Sequence, residues 1–268
     1  MAALPVGRVA GLWRYPVKSM LGETLSDAEL DKGGLRGDRA YALLDTATGR
    51  VVSAKNPKRW PALFAFRSEY ITPPARGAAL PPARITLPDG TATTTDAPDA
   101  ERLLSDALDA SIRIASTLSG PARVEEFAPD LRGGGPGSVH EFTARPGPFF
   151  DAQPVLVVTT ASLARLSESY PAGRFDARRF RPNVLVETAE TEVEDTWAGR
   201  TLFLGDGVRL VVTKPCSRCV MTTLAQEDLP NDLGILRTVV ESSGGRVGVY
   251  ARVERGGRVH LGDPVLLT

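Results

Sequence analysis

Apolar and polar positions alternate in many short runs. Val247, Val249, Ala251 and Val253 occupy every second position, the period of a half-buried strand. Val6 to Trp13 reads as another strand. It enters Tyr15-Pro16-Val17-Lys18-Ser19, where Pro16 lacks a ladder donor and ends regular pairing. Arg39 to Asp45 and Arg50 to Ala54 flank Thr46-Ala47-Thr48-Gly49, a hairpin signal, and a second hairpin is expected across Pro88-Asp89-Gly90. Pro154 to Val158 is continuously apolar and reads as a buried strand. It runs through Thr159-Thr160 into a short amphipathic helix over Ala161 to Leu166. Arg181-Pro182-Asn183 opens another strand through Val186. Thr201 to Leu204 and Val208 to Thr213 form a hairpin about Gly205-Asp206-Gly207. Arg258 to Leu267 is expected to pair back on the Val247 strand across Gly256-Gly257, and Val220 to Thr223 to continue as strand beyond Cys219.

One longer helix is predicted over 98–110, where Ala100, Leu103, Leu104, Ala107 and Leu108 recur at helical spacing. Asp96 suits its N-cap and Pro98 its first turn. Glycine and proline crowd residues 117–148, including Gly133 to Gly137 and Pro146-Gly147-Pro148. That stretch reads as a linker or loop between an N-terminal module over 1–116 and a C-terminal module over 149–268. The expected fold class is mainly β, a β-rich α+β architecture of barrel-like domains with a few short helices.

The chain has 268 residues, 42% hydrophobic and 24% charged, enough for an ordinary core. Its 32 basic residues balance 32 acidic ones, so global charge draws it to neither nucleic acid nor an anionic membrane. No apolar run approaches the length of a membrane span, and Met1 to Val6 does not read as a secretory signal. Two cysteines make no disulfide framework. The expectation is a cytoplasmic protein with reduced thiols.

Those cysteines sit in Lys214-Pro215-Cys216-Ser217-Arg218-Cys219. Two small buried residues are the bland alternative. A zinc site needs four ligands, and His140 and His260 are far apart and not at ligand spacing. A thioredoxin-like dithiol wants its first cysteine at a helix N-terminus, whereas a strand precedes this one. A single thiolate on a soft metal or cofactor fits the layout better, with Lys214 and Arg218 favouring it if they face inward.

Cations also stand where strands start or stop: Lys18 before Ser19, Arg39 after Gly37-Asp38, and Arg181 before Pro182-Asn183. Such places suit phosphate or carboxylate, and a surface ion pair is the plain alternative for each. The turn Thr159-Thr160-Ala161-Ser162 offers free N–H groups to an anion, or merely caps a helix. Glu187, Glu190, Glu192, Glu194 and Asp195 form an acidic run that reads as a solvated loop.

Taken in order, five motifs resemble one family. Tyr15-Pro16-Val17-Lys18-Ser19, Gly37-Asp38-Arg39, Phe180-Arg181-Pro182-Asn183, Cys216-Ser217-Arg218-Cys219 with Thr222-Thr223, and Gly262-Asp263-Pro264-Val265 look like a MOSC protein with its N-terminal β-barrel domain. The group includes the mitochondrial amidoxime-reducing component and its bacterial relatives. The resemblance implies an N-terminal barrel-like domain over 1–116 packed on a MOSC barrel over 149–268. It also implies a molybdenum cofactor, a pterin dithiolene with a terminal phosphate. Cys219 matches the thiolate ligand to the metal and is the implied catalytic position. Lys18, Ser19, Arg39, Arg181, Asn183 and Tyr250 match positions that hold the cofactor, as does the turn of Thr159, Thr160 and Ser162.

The implied activity is reduction of small N-hydroxylated substrates such as amidoximes. A cofactor carrier or sulfur-transfer protein without reductase activity is the alternative, since MOSC domains also occur fused to sulfurtransferase modules. Two cysteines cannot ligate a two-iron, two-sulfur cluster, so electrons are expected from a separate donor protein. After Thr222-Thr223 the family often has an acidic-proline turn, which Leu224 to Pro230 replaces here.

Overall fold

A computed structural model describes residues 3–116, 120–133, 135–144, 148–188 and 194–268. Seven strands close a barrel: β1 (Leu4–Arg14), β2 (Val155–Thr159), β3 (Val184–Thr188), β4 (Thr201–Leu204), β5 (Val208–Ser217), β6 (Arg246–Arg255) and β7 (Pro264–Leu267). Their order is β3-β2-β6-β5-β4-β7-β1, and pairing of β1 with β3 closes the ring. Closure pairs the first and last barrel strands, and a short strand, Glu23–Leu25, adds on to the end of β1. Only β2 and β3 run parallel, so a crossover must join them. It consists of helices α2 (Thr160–Ser169) and α3 (Ala177–Phe180). Leu12, Val157, Val186, Leu210, Ala251 and Val265 are among the residues that fill the barrel. Leu156, Val158 and Cys216 instead face an outer layer with Leu166, Phe180, Ile235 and Val239.

The N-terminal half builds smaller sheets on a second core that contains Val17, Met20, Leu43, Phe66, Ile85 and Leu104. Both predicted hairpins of this half form, as Ala42–Asp45 with Arg50–Val51 and Arg84–Thr86 with Ala92–Thr94. Helix α1 (Ala100–Leu108) lies within the predicted range. Asp99 is its N-cap residue, whereas Asp96 accepts a hydrogen bond from Thr94 Oγ1 at 2.6 Å.

Several expectations are corrected. The 117–148 stretch is not simply a linker: Ala122–Ala128 and Ser138–Ala144 pair antiparallel, and the first also pairs with Arg50–Val51. Gly134 and residues 145–147 lie outside the described residues. The division at 116 and 149 is not the spatial one either, because β1 closes the barrel of the C-terminal half. No hairpin forms across Gly256-Gly257. Gly257–His260 pairs with Asp27–Asp31, and β7 pairs with β1 and β4. Val220–Thr223 is a 3-10 turn rather than strand. A further helix, α4 (Leu233–Ser243), is not among the predicted elements, although Asp232 caps it by accepting from Gly234 N at 2.8 Å and Gly244 ends it at φ 58°. Among the described residues no helix is long and apolar enough to cross a membrane.

Candidate functional site

Where the barrel meets the N-terminal half, a cleft opens on Cys219. Strand β5 ends at Ser217, and Cys219 begins the 3-10 turn. Its carbonyl accepts from Thr222 N at 3.1 Å and Thr222 Oγ1 at 3.0 Å, which holds the cysteine in place. Buried Arg179 braces the segment that follows. It donates to the carbonyls of Thr222, Leu224 and Pro230 at 3.2, 3.2 and 2.7 Å, so its charge is answered by backbone dipoles.

Lys18, Ser19, Arg39, Arg181, Asn183, Cys219 and Tyr250, all named from the sequence, line this one cleft. Three of them carry backbone strain. Among the described residues five non-glycine residues have positive φ, and Ser19 (66°), Arg39 (47°) and Arg181 (53°) are three of the five. Such conformations persist only where surrounding contacts impose them, and they gather at functional sites. Here the contacts are visible. Arg39 donates to the Asp38 carboxylate and to the Arg181 carbonyl, and Arg181 Nη1 donates to the Met20 carbonyl at 2.8 Å. Both guanidiniums lie against the Tyr15 ring, at 4.6 and 4.1 Å from its centroid. Burial lowers the Arg181 pKa to about 10.

Asn183 is committed to the fold. Its Oδ1 accepts from Leu156 N at 3.1 Å and its Nδ2 donates to the Trp13 carbonyl at 3.4 Å, which ties β1 to β2. Burial, and then the neighbouring Cys216, push the Tyr250 phenol well up.

The cation beside Cys219 is not Lys214, which is exposed and outside the cleft. It is Lys55, a residue the sequence did not single out. Burial alone would lower the Lys55 pKa, but Asp151, Cys219 and Glu126 together raise it well above the ordinary value. Reciprocally, burial pushes the Cys219 thiol up while Lys55 pulls it down. Asp151 is the other omission. It bridges Lys18 Nζ at 2.6 Å and Lys55 Nζ at 3.4 Å. Its pKa is held far below the usual carboxylate range: burial would raise it, and Lys18, Lys55 and Arg39 overcome that.

Arg218 completes the wall. Its Nε and Nη1 donate to the Val247 and Phe180 carbonyls at 2.8 and 2.9 Å. Its buried Nη2 has no hydrogen-bond partner among the described residues. About 100 Å³ is left clear between the lining side chains.

Thr159, Thr160 and Ser162 are not brought to this cleft. Thr159 caps α2, accepting from Ser162 N at 3.2 Å. The anion at this helix start is the chain's own Glu194. It accepts from Thr159 N at 2.7 Å and Gly248 N at 2.6 Å, and burial raises its pKa. Glu194 is therefore buried, not part of a solvated run; Glu190 and Glu192 lie outside the described residues.

The donor set narrows the chemistry. Among the described residues no three His, Cys, Asp or Glu side chains converge, so no zinc ligand set forms around the cysteines. Cys216 lies on a strand rather than at a helix start, unlike the attacking thiol of a thioredoxin-like dithiol. Fold and site together define a closed-barrel protein whose cation-lined cleft holds two thiols, buried Cys216 and the more accessible Cys219. Residues 139–266 match the MOSC domain and residues 6–111 the MOSC N-terminal beta barrel domain. The chain belongs to the MOSC proteins that carry this N-terminal domain.

It is 26% identical to human mitochondrial amidoxime-reducing component 1 over 287 residues, covering 98% of this chain and 83% of that protein. It is 24% identical to mitochondrial amidoxime reducing component 2 of Bos taurus, over 97% of this chain and 83% of that one. The crystal structure of the YuaD protein from Bacillus subtilis superposes with a TM-score of 0.49 at 13% identity, covering 99% and 97% of the two chains.

Proposed function

We propose that this protein binds a molybdenum cofactor in the cleft through Cys219 and reduces N-hydroxylated small molecules. One observation carries the reading. Seven residues picked out by the family resemblance, from separate segments of the chain and with Cys219 among them, line a single cleft. The names of the similar mitochondrial proteins, amidoxime-reducing components, support the substrate class.

The residues present fit such a group chemically. The Cys219 sulfur is a soft donor that suits a dithiolene-bound metal. Lys18, Lys55, Arg39, Arg181 and Arg218 suit a pterin phosphate, and the unpartnered Arg218 Nη2 is a donor awaiting an acceptor.

When bound, the cofactor supplies a redox metal that removes oxygen from nitrogen. The chain's residues hold it and set its surroundings. Cys219 anchors the metal side, Lys55 favours its thiolate form, and Arg39 and Arg181 are fixed by Tyr15. Overall the N–O bond breaks, two electrons and two protons are taken up, and water leaves. The electrons come from a separate donor protein. We place the protein in the cytoplasm, where the free thiols of Cys216 and Cys219 stay reduced.

The test is expression in a cofactor-competent host, followed by metal analysis and benzamidoxime reduction with a chemical reductant. Molybdenum-replete protein that converts no benzamidoxime removes the reductase and leaves a cofactor-binding protein. A persulfide found on Cys216 or Cys219 by mass spectrometry would then point to sulfur transfer.

A further inference from the structure

We propose that Lys18 and Lys55 form a seat for a tetrahedral oxyanion, and that Asp151 is the chain's own occupant of that seat when no ligand is bound. The geometry is that of a filled anion site. The two ammonium groups converge on opposite oxygens of one carboxylate, Oδ1 at 2.6 Å and Oδ2 at 3.4 Å. Two-point contact of this kind is what a phosphate oxyanion receives from paired cations.

The lysines and the carboxylate differ in how firmly they are held. Lys18 also donates to the Phe149 carbonyl at 2.9 Å, and Lys55 to Glu126 Oε2 at 2.8 Å. The lysine side chains are only 10% and 11% exposed, so both cations stay in place without Asp151. The Asp151 side chain is 36% exposed, and among the described residues its one hydrogen bond is to Lys18. The next residues upstream are anchored, since Phe149 is buried and donates from its backbone N–H to the Arg39 carbonyl at 3.0 Å. Asp151 is thus a short, half-exposed side chain on a fixed stem. It can turn to solvent and leave two desolvated cations for an incoming anion.

The energetics favour exchange. An exposed carboxylate regains water on leaving, and an oxyanion with more charge and more acceptor oxygens replaces it. The phosphate of a bound cofactor and a free phosphate share this chemistry. The inference deepens the cofactor reading but does not need it, because the probe is inorganic phosphate and the readout is binding.

The experiment titrates inorganic phosphate into the full cofactor-free chain by calorimetry, for wild type, Asp151→Asn and Lys55→Met. Wild type is expected to bind phosphate weakly. Asp151→Asn, which removes the competing charge, should bind about tenfold more tightly, and Lys55→Met about tenfold more weakly than wild type. Asp151→Asn binding no more tightly than wild type would overturn the proposal, since Asp151 would then only position the lysines.

Should Asp151→Asn fold poorly, phosphate-soaked crystals of wild type decide. Phosphate between Lys18 and Lys55 with Asp151 turned outward supports the seat, and an unmoved Asp151 bridge overturns it. Repeating the titration on molybdenum-loaded protein separates the sources. Lost phosphate binding assigns the seat to the cofactor, and retained binding assigns it to a free oxyanion. Failure of molybdenum to load would count against the cofactor reading alone.

Discussion

The Arg181 guanidinium lies 4.1 Å from the centroid of the Tyr15 ring, and the backbone that delivers it has φ 53°. Arg39 touches the same ring at 4.6 Å. Two cations, Arg181 buried and Arg39 partly buried, therefore share one aromatic partner at the cleft wall. Burial pushes the Tyr15 phenol up to about 12, so the ring stays neutral across physiological pH. Arg181→Lys keeps the charge and loses the flat contact and the fork that reaches the Met20 carbonyl. It should lower stability by about 1–3 kcal/mol in urea unfolding, whereas Tyr15→Phe, which keeps the ring, should change it by less than about 1 kcal/mol.

Lys55 acts on Cys219 by charge. Lys55→Met removes the cation that opposes the burial-driven rise of the thiol pKa. Less thiolate should then be present at neutral pH, and alkylation of Cys219 in the cofactor-free protein should slow by roughly three- to tenfold. Mass spectrometry of iodoacetamide-treated protein over a pH series measures this. An unchanged rate would mean that Lys55 does not reach the sulfur.

Glu194 links the start of α2 to Gly248 through two backbone N–H groups. Glu194→Gln turns one acceptor into an NH₂ group facing a donor, and should cost about 1–3 kcal/mol. The pH dependence has a definite sign. Burial raises the folded-state pKa of Glu194, so the native chain holds this proton more tightly than the unfolded chain. The associated stability is complete below the ordinary carboxylate pKa and is lost as pH rises through the raised value. Wild type should therefore exceed the Gln variant by most at low pH, with the gap narrowing upward. Thermal unfolding of both proteins across pH 4–8 reads the gap, and a gap that widens with pH contradicts it.

Local patterns carried much of the fold in the sequence. The turn about Gly205-Asp206-Gly207 and the apolar spacing of α1 depend on neighbouring residues only, and both elements form where expected. Long-range pairing is different. Nothing local to Val6 to Trp13 tells that it closes a barrel against Val184–Thr188, or that Gly257–His260 leaves the adjacent strand for Asp27–Asp31. At the site, motif resemblance named Cys219, Lys18, Ser19, Arg39, Arg181, Asn183 and Tyr250, and these share one cleft. It overlooked Lys55 and Asp151, ordinary charged residues that become notable only once folding sets them beside Lys18 and Cys219. It also included Thr159, Thr160 and Ser162, because an N-cap and an anion site use the same free N–H groups. Here a buried glutamate from a distant segment takes the Thr159 N–H, and Thr159 Oγ1 takes that of Ser162.

Molybdenum content tests the central claim most directly. Wild type, Cys216→Ser and Cys219→Ser would be purified in parallel from one cofactor-competent host and analysed for metal and pterin, with thermal unfolding confirming that each is folded. Wild type and Cys216→Ser should carry molybdenum, and Cys219→Ser should lose it. Equal molybdenum in all three, or equal loss from both cysteine variants, contradicts Cys219 as the ligand.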